Sequence, residues 1–179
     1  GGGFLVFARR VQGKVCELPE VGRFERDQPF SCPAWIKVAA NDGNGAICAR
    51  MDREADYRGW DFWAQGRRVG MHLINSWPAN GLQVVGQKQI PANKWVHVAV
   101  TYDGSSKASG VKVYYDGASQ PVNVENDKLS ETTLTDVPFL IGQRSTGEQF
   151  SGGLQDLRLF GRALSPAEVE AIANVSRYS

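Results

Sequence analysis

The sequence predicts an all-β fold, a two-sheet antiparallel β-sandwich closed by one short C-terminal helix. Three observations carry this. In Trp95-Val-His-Val-Ala-Val-Thr-Tyr-Asp-Gly104, Val96, Val98, Val100 and Tyr102 point to one side while Trp95, His97, Ala99 and Thr101 point to the other. Both faces are largely apolar, which marks an interior strand of a two-layer structure. A partner run, Val111-Lys-Val-Tyr-Tyr-Asp-Gly117, follows a short Ser/Lys/Gly-rich excursion and ends, like the first, in Asp-Gly, a pair that tolerates positive φ and closes hairpins. Near the end, Ser165-Pro-Ala-Glu168 supplies an N-cap, a proline at the first helical position and a glutamate at the third, a complete capping box.

The 179 residues are expected to form one domain, 1–179, large enough to bury about 70% of the unfolded surface. Twenty Lys and Arg against 19 Asp and Glu leave a formal charge of +1 without any block of like charge. Nucleic acid and anionic membranes both demand a basic stripe, so neither is expected as the main partner. No run of 18 apolar residues exists to span a bilayer. The chain opens Gly1-Gly-Gly-Phe, without Met or a signal peptide, and is expected to be a module excised from a larger protein.

In chain order, residues 4–10 and 11–18 read as two short strands. Residues 30–38 read as a strand, 41–45 as a loop and 46–51 as the next strand. A hairpin centred near Asp42 would place Cys48 opposite Trp35. Residues 59–66 and 68–74 read as a pair joined by a Gly-containing turn, with Trp60, Phe62, Ala64, Val69, Met71 and Leu73 toward the core. Residues 107–110 and 125–136 read as exposed loops, the second with room for a short strand near 132–134. Residues 137–142 form a core strand, 143–149 a polar loop, and 154–160 the last strand. The helix covers 166–173, with Val169 and Ile172 as its docking stripe.

Cys16, Cys32 and Cys48 are odd in number, so a monomer keeps at least one free thiol. In the hairpin register Cys32 falls about three positions from Cys48, which disfavours a bridge between them. They read as small buried hydrophobes, with a Cys16 bridge to either one left open.

The run Trp-x-His-Val-Ala-x-Thr-Tyr-Asp-Gly, then x-Val-Tyr-Tyr-Asp-Gly, Leu140-Ile-Gly142, and Phe150-Ser-Gly-Gly-Leu-Gln-Asp-Leu-Arg-Leu-Phe-Gly-Arg-Ala-Leu-Ser165-Pro-Ala-Glu168 resembles the laminin G-like module of the concanavalin A-like lectin/glucanase superfamily. Order and spacing both match over roughly residues 30–173. Residues 49–63 and 68–78 are further similar to the module inside large secreted planctomycete proteins, beside cytochrome c-like domains. The resemblance implies a jelly-roll sandwich in which residues 30–38 are the early core strand and the N-terminal segment lies beside the C-terminal strand, an extracellular or periplasmic location, the parent chain's other domains as neighbours, and a concave sheet often used for sugars.

Asp61, Trp63 and His72 face outward together in the predicted strand pair. With Arg50, Arg58, Asn75 and Trp77 they make up a candidate glycan-binding patch, aromatic planes for pyranose C–H faces beside groups that bond hydroxyls. The competing reading is that five Trp in a sandwich of this size are core and rim packing. The two functional expectations are accordingly a carbohydrate-recognition module with a polysaccharide or glycan partner, and a structural or protein-interaction module with no glycan ligand.

Catalysis is not expected. Glucanases of this architecture carry Glu-x-Asp-x-x-Glu, and Glu54-Ala-Asp56-Tyr-Arg-Gly59 has Gly59 in place of the second glutamate, leaving no proton donor. The only histidines, His72 and His97, sit in no zinc-type spacing, and His97 is expected to be hydrogen-bonded and structural. No nucleophile elbow or phosphate loop occurs. Many modules of the superfamily hold Ca²⁺ at the rim, but Gln155 stands where the family pattern has the first of two acids, so no cofactor is expected and calcium is doubtful. Asn174-Val-Ser176 is a glycosylation sequon by letters only.

Overall fold

The computed structural model describes residues 16–18 and 20–175. Its strands in chain order are β1 (Cys16–Leu18), β2 (Phe30–Lys37), β3 (Gly45–Asp52), β4 (Arg58–Gln65), β5 (Arg68–Ser76), β6 (Asn80–Gly86), β7 (Val96–Tyr102), β8 (Val111–Tyr115), β9 (Ala118–Ser119), β10 (Val122–Asp127), β11 (Phe139–Ile141) and β12 (Gly153–Gln155), followed by helix α1 (Pro166–Val175). Two antiparallel sheets stack face to face. One is seven-stranded, in the order β1-β11-β3-β4-β5-β6-β10, and the other five-stranded, in the order β12-β2-β7-β8-β9.

The period-2 pattern places the core as expected. Val96, Val98, Val100 and Tyr102 of β7 pack inward against Trp60, Phe62, Met71 and Leu73 of β4 and β5, all at most 1% exposed. Each large apolar side chain buried this way contributes about 1.5–3 kcal/mol before conformational entropy is charged against it. β7 is an interior strand, paired with β2 and β8. Its other face is covered by α1, where Ala99 and Tyr114 meet Val169, Leu164 and Ile172. The capping box forms as written: the Glu168 amide donates to Ser165 Oγ at 3.2 Å, and the Ser165 amide to Glu168 Oε1 at 3.1 Å.

Four expectations are corrected. The 30–38 and 46–51 strands do not form a hairpin, because the chain crosses between sheets from β2 to β3. Trp35 pairs with His97 and Gln155, and Cys48 with Phe62 and Ile141. The crossing sets Cys32 and Cys48 face to face across the core, both fully buried, with Sγ atoms 3.5 Å apart as free thiols. β1 lies beside β11 on the larger sheet rather than beside the C-terminal strand; the strand expected over 4–10 lies outside the described residues, as do the side chain of Cys16 and Ser176 of the sequon. A strand not anticipated, β6, pairs with β5, and β10 runs into the expected loop and pairs with β6, while 132–134 is not a strand. The last strand is short: β12 ends where Asp156 turns to φ 49°, and the chain meets β2 again through the Arg158 amide, which donates to Pro33 O at 2.9 Å, and the Ser31–Phe160 bridge.

Candidate functional site: an aromatic cleft on the seven-stranded sheet

The outward face of β4 and β5 carries the strongest chemistry. Register pairs Asp61 with His72 and Trp63 with Gly70. A Cβ at Gly70 would lie 2.8 Å from the Trp63 ring and 2.0 Å from the Val84 carbonyl, so only glycine lets that indole lie over the neighbouring strand. Trp63 and His72 pack with their rings tilted by 44° and 4.0 Å between centroids, and Trp77, on the turn after β5, meets His72 edge-on at 5.4 Å. Below them Ala46, Ala49, Met51 and Ile74 form a second apolar cluster, flanked by the half-buried Tyr57 and Trp77. Asp56 and Tyr57 both adopt left-handed backbone, at φ 52° and 63°, a costly conformation for non-glycine residues that places Tyr57 at the rim.

The result is an open cleft of about 450 Å³ whose lining includes Tyr57, Trp63, Trp77, His72, Gln83 and Arg144. That volume lies within the usual range of small-ligand sites, about 300–1,000 Å³.

Beneath the cleft lies a saturated carboxylate. Asp61 is wholly buried, and its Oδ1 accepts from the His72 backbone amide at 3.1 Å and from the His72 ring Nδ1 at 2.8 Å. Its Oδ2 accepts from Arg144 Nε at 3.0 Å, and Arg144 Nη2 lies 2.8 Å from the same atom. Burial works to raise the Asp61 carboxyl, but the His72 ring and the Arg144 guanidinium outweigh it and hold it below its usual range. A carboxylate only accepts, so Nδ1 of His72 carries the proton of that bond. Arg144 comes from the loop after β11, which the Arg144 amide closes onto Gly147 O at 3.2 Å, and its guanidinium lies 5.7 Å from the Tyr57 ring centroid.

The structure divides the sequence-predicted residues. Asp61, Trp63, His72 and Trp77 come together at the cleft. Arg50, Arg58 and Asn75 do not. Arg50 pairs in register with core-facing Trp60, so its side chain leaves the opposite face, where Nη1 donates to Val21 O at 2.8 Å and Nε to Thr135 O at 3.4 Å. Arg58 and Asn75 belong to a separate polar rim with Glu25, Arg26 and Thr132, where Asn75 Nδ2 donates to Thr132 O at 2.9 Å. Sequence reading missed Arg144, Tyr57 and Gln83. Arg144 sits in a polar loop with no pattern to single it out, and Gln83 lies on the unanticipated β6.

Other sites offer less. Glu54 and Asp56 are exposed around a 3₁₀ turn, Arg53–Ala55. At Gly59 a Cβ would come 1.9 Å from the Arg50 carbonyl, so no glutamate fits where a glucanase would need one. Both carboxylate oxygens of Asp156 are taken by Arg158, at 3.1 and 3.0 Å, and Gln155 is neutral, so these residues do not fit a calcium site. Among the described residues no three His, Cys, Asp or Glu side chains gather to hold a metal. His97 differs from its expected hydrogen-bonded role: its ring stacks edge-on to Trp35 at 5.2 Å, but Nδ1 is buried with no hydrogen-bond partner among the described residues. Among the described residues no helix is long and apolar enough to cross a membrane.

Comparison with solved structures finds the same sandwich. The chain is similar to the CBM40 of Ruminococcus gnavus IT-sialidase, solved bound to α2,3-sialyllactose, with a TM-score of 0.70 and 15% identity over 94% of this chain and 96% of that one. It is similar to the SAP-like pentraxin of Limulus polyphemus, with a TM-score of 0.60 and 19% identity over 94% and 80% of the two chains. It also resembles the ligand binding domain of botulinum neurotoxin serotype D, solved in complex with N-acetylneuraminic acid, with a TM-score of 0.64 and 15% identity over 90% of this chain and 39% of that one. The chain spans less than half of the toxin chains it matches, 37% of the receptor binding domain of a botulinum neurotoxin C/D mosaic serotype and 46% of the binding domain of Paraclostridial Mosquitocidal Protein 1. The family model Laminin_G_3, described as the concanavalin A-like lectin/glucanases superfamily, matches residues 12–170, and the chain belongs to that family.

Proposed function

We propose that this chain is a non-catalytic, lectin-like carbohydrate-binding module of a larger secreted protein, of the kind its sequence resembles in planctomycetes. The observation that carries the reading is the cleft itself, where Tyr57, Trp63 and Trp77 offer aromatic surface beside the polar groups of His72, Gln83 and Arg144. Aromatic faces cover the C–H side of a pyranose while amide, indole and guanidinium groups bond its hydroxyls. Two of the similar proteins were solved with sugars, sialyllactose and N-acetylneuraminic acid, which supports the reading by analogy of fold. In this role the module tethers its parent chain to a glycan outside the cytoplasm and performs no bond cleavage.

The test is a glycan array with the purified chain, run with calcium and with chelator, and repeated with Trp77→Ala. Saturable binding that the substitution abolishes is the expected result. A blank array over neutral, sialylated, uronic and sulfated glycans overturns the proposal in favour of a structural or protein-interaction module.

A further inference from the structure

Resting on the glycan-binding reading, we infer that the cleft selects a sugar bearing a carboxylate, which docks on the end-on edge of Arg144. Asp61 would be the natural acceptor for sugar hydroxyls, yet it is wholly buried and takes four donors, two on each oxygen. Its charge is spent inside the protein. Arg144 gives Asp61 only its side-on edge, Nε and Nη2. Nη1 and the second hydrogen of Nη2 make no hydrogen bond among the described residues, and the guanidinium lines the open cleft with 12% of its side chain exposed. A guanidinium held on one edge and free on the other presents two parallel N–H groups, the fork that matches a planar carboxylate.

The surroundings fit an acceptor-rich ligand. The indole N–H groups of Trp63 and Trp77 also lack protein acceptors among the described residues, and a tryptophan N–H only donates. Gln83 provides both roles. The one acid on the lining, Glu148, is an exposed loop residue at the rim. Asp61 serves as a positioning residue: it fixes the plane of the guanidinium before the ligand arrives, which spares the ordering cost of a long side chain.

The test compares matched ligands on the unmodified chain by calorimetry: α2,3-sialyllactose, its carboxyl methyl ester, lactose, and a sulfated lactose, with a glucuronate-terminated oligosaccharide and its glucose counterpart as a second series. The acid in at least one series is expected to bind roughly tenfold or more tighter than its ester or neutral partner. Arg144→Gln is expected to remove that preference and Arg144→Lys to restore part of it. Equal binding of the acid and its ester or neutral partner in both series overturns the carboxylate assignment while leaving glycan binding standing. A preference for the sulfated lactose alone also overturns it. Absence of binding to every sugar, on this panel and on the array, overturns both readings. The ester comparison needs no variant, so it decides the matter even if Arg144→Gln fails to fold.

Discussion

Asp61 and Arg144 are 83 residues apart in the chain and meet at 2.8 Å, the aspartate wholly buried and the arginine almost so. This one pair couples the loop after β11 to the central strand β4, and with it the rim of the cleft to its floor. Removing the charge leaves a buried guanidinium without its counterion, so Asp61→Asn is expected to cost about 3 kcal/mol of stability by urea unfolding. The acid limb provides an internal check. Because the folded carboxyl is held low, its contribution is present above the ordinary carboxylate value of about 3.9 and is lost as pH falls through the lowered one. Asp61→Asn removes that part of the acid sensitivity; an unchanged acid limb in the variant would show that the pair does not stabilise the fold.

His97 has the opposite dependence. Burial brings it from 6.5 down to about 4, and the upward pull of Asp116 and Asp156 does not overcome this. The unfolded chain takes up the proton near pH 6.5 and the folded one resists it, so stability declines as pH falls from about 6.5 to about 4, by roughly 3 kcal/mol at most. His97→Phe keeps a ring against Trp35 and is expected to flatten that slope. Equal slopes for both proteins between these pH values would refute the assignment.

Two tryptophans separate packing from binding. Trp60 is 1% exposed, donates to Gly22 O at 2.8 Å, and packs against Phe24, Phe30 and Phe139. Trp60→Ala is expected to cost about 3–5 kcal/mol. Trp77 is half-buried on a turn, and Trp77→Ala is expected to cost well under half as much while reducing glycan binding. Thermal unfolding of the two variants checks the contrast.

Cys32 and Cys48 are inaccessible, and burial, aided by Cys32 and Asp61, pushes the Cys48 thiol well above its ordinary value. Native protein is therefore expected to leave both unlabelled by a thiol reagent over hours, and protein unfolded in urea without reductant to label both, as mapped by peptide mass. Labelling in the native state would mean that the sandwich opens locally at this pair.

Much of the fold could be read from local pattern. Alternation named the inward residues of β4, β5 and β7, and the capping box located α1, because pleat and helix cap are set by neighbours a few residues apart. The same alternation placed Asp61, Trp63 and His72 on one outward face. What failed were statements about partners. Asn80-Gly-Leu-Gln-Val-Val-Gly86 has no turn-bounded alternation as clear as that of its neighbours, and β10 is mostly exposed, so neither announced itself.

By itself the sequence determined which residues of β4, β5 and β7 turn inward and where the helix begins, since these follow from the chirality and spacing of the chain. Only the tertiary structure decided that β2 and β3 belong to different sheets, which brought Cys32 to Cys48, and that Arg50 leaves the face it was expected to share with Asp61. It alone delivered Arg144 to Asp61. Sheet assignment and loop docking are settled by which buried faces fit together across the whole domain, and no local run of residues records that choice.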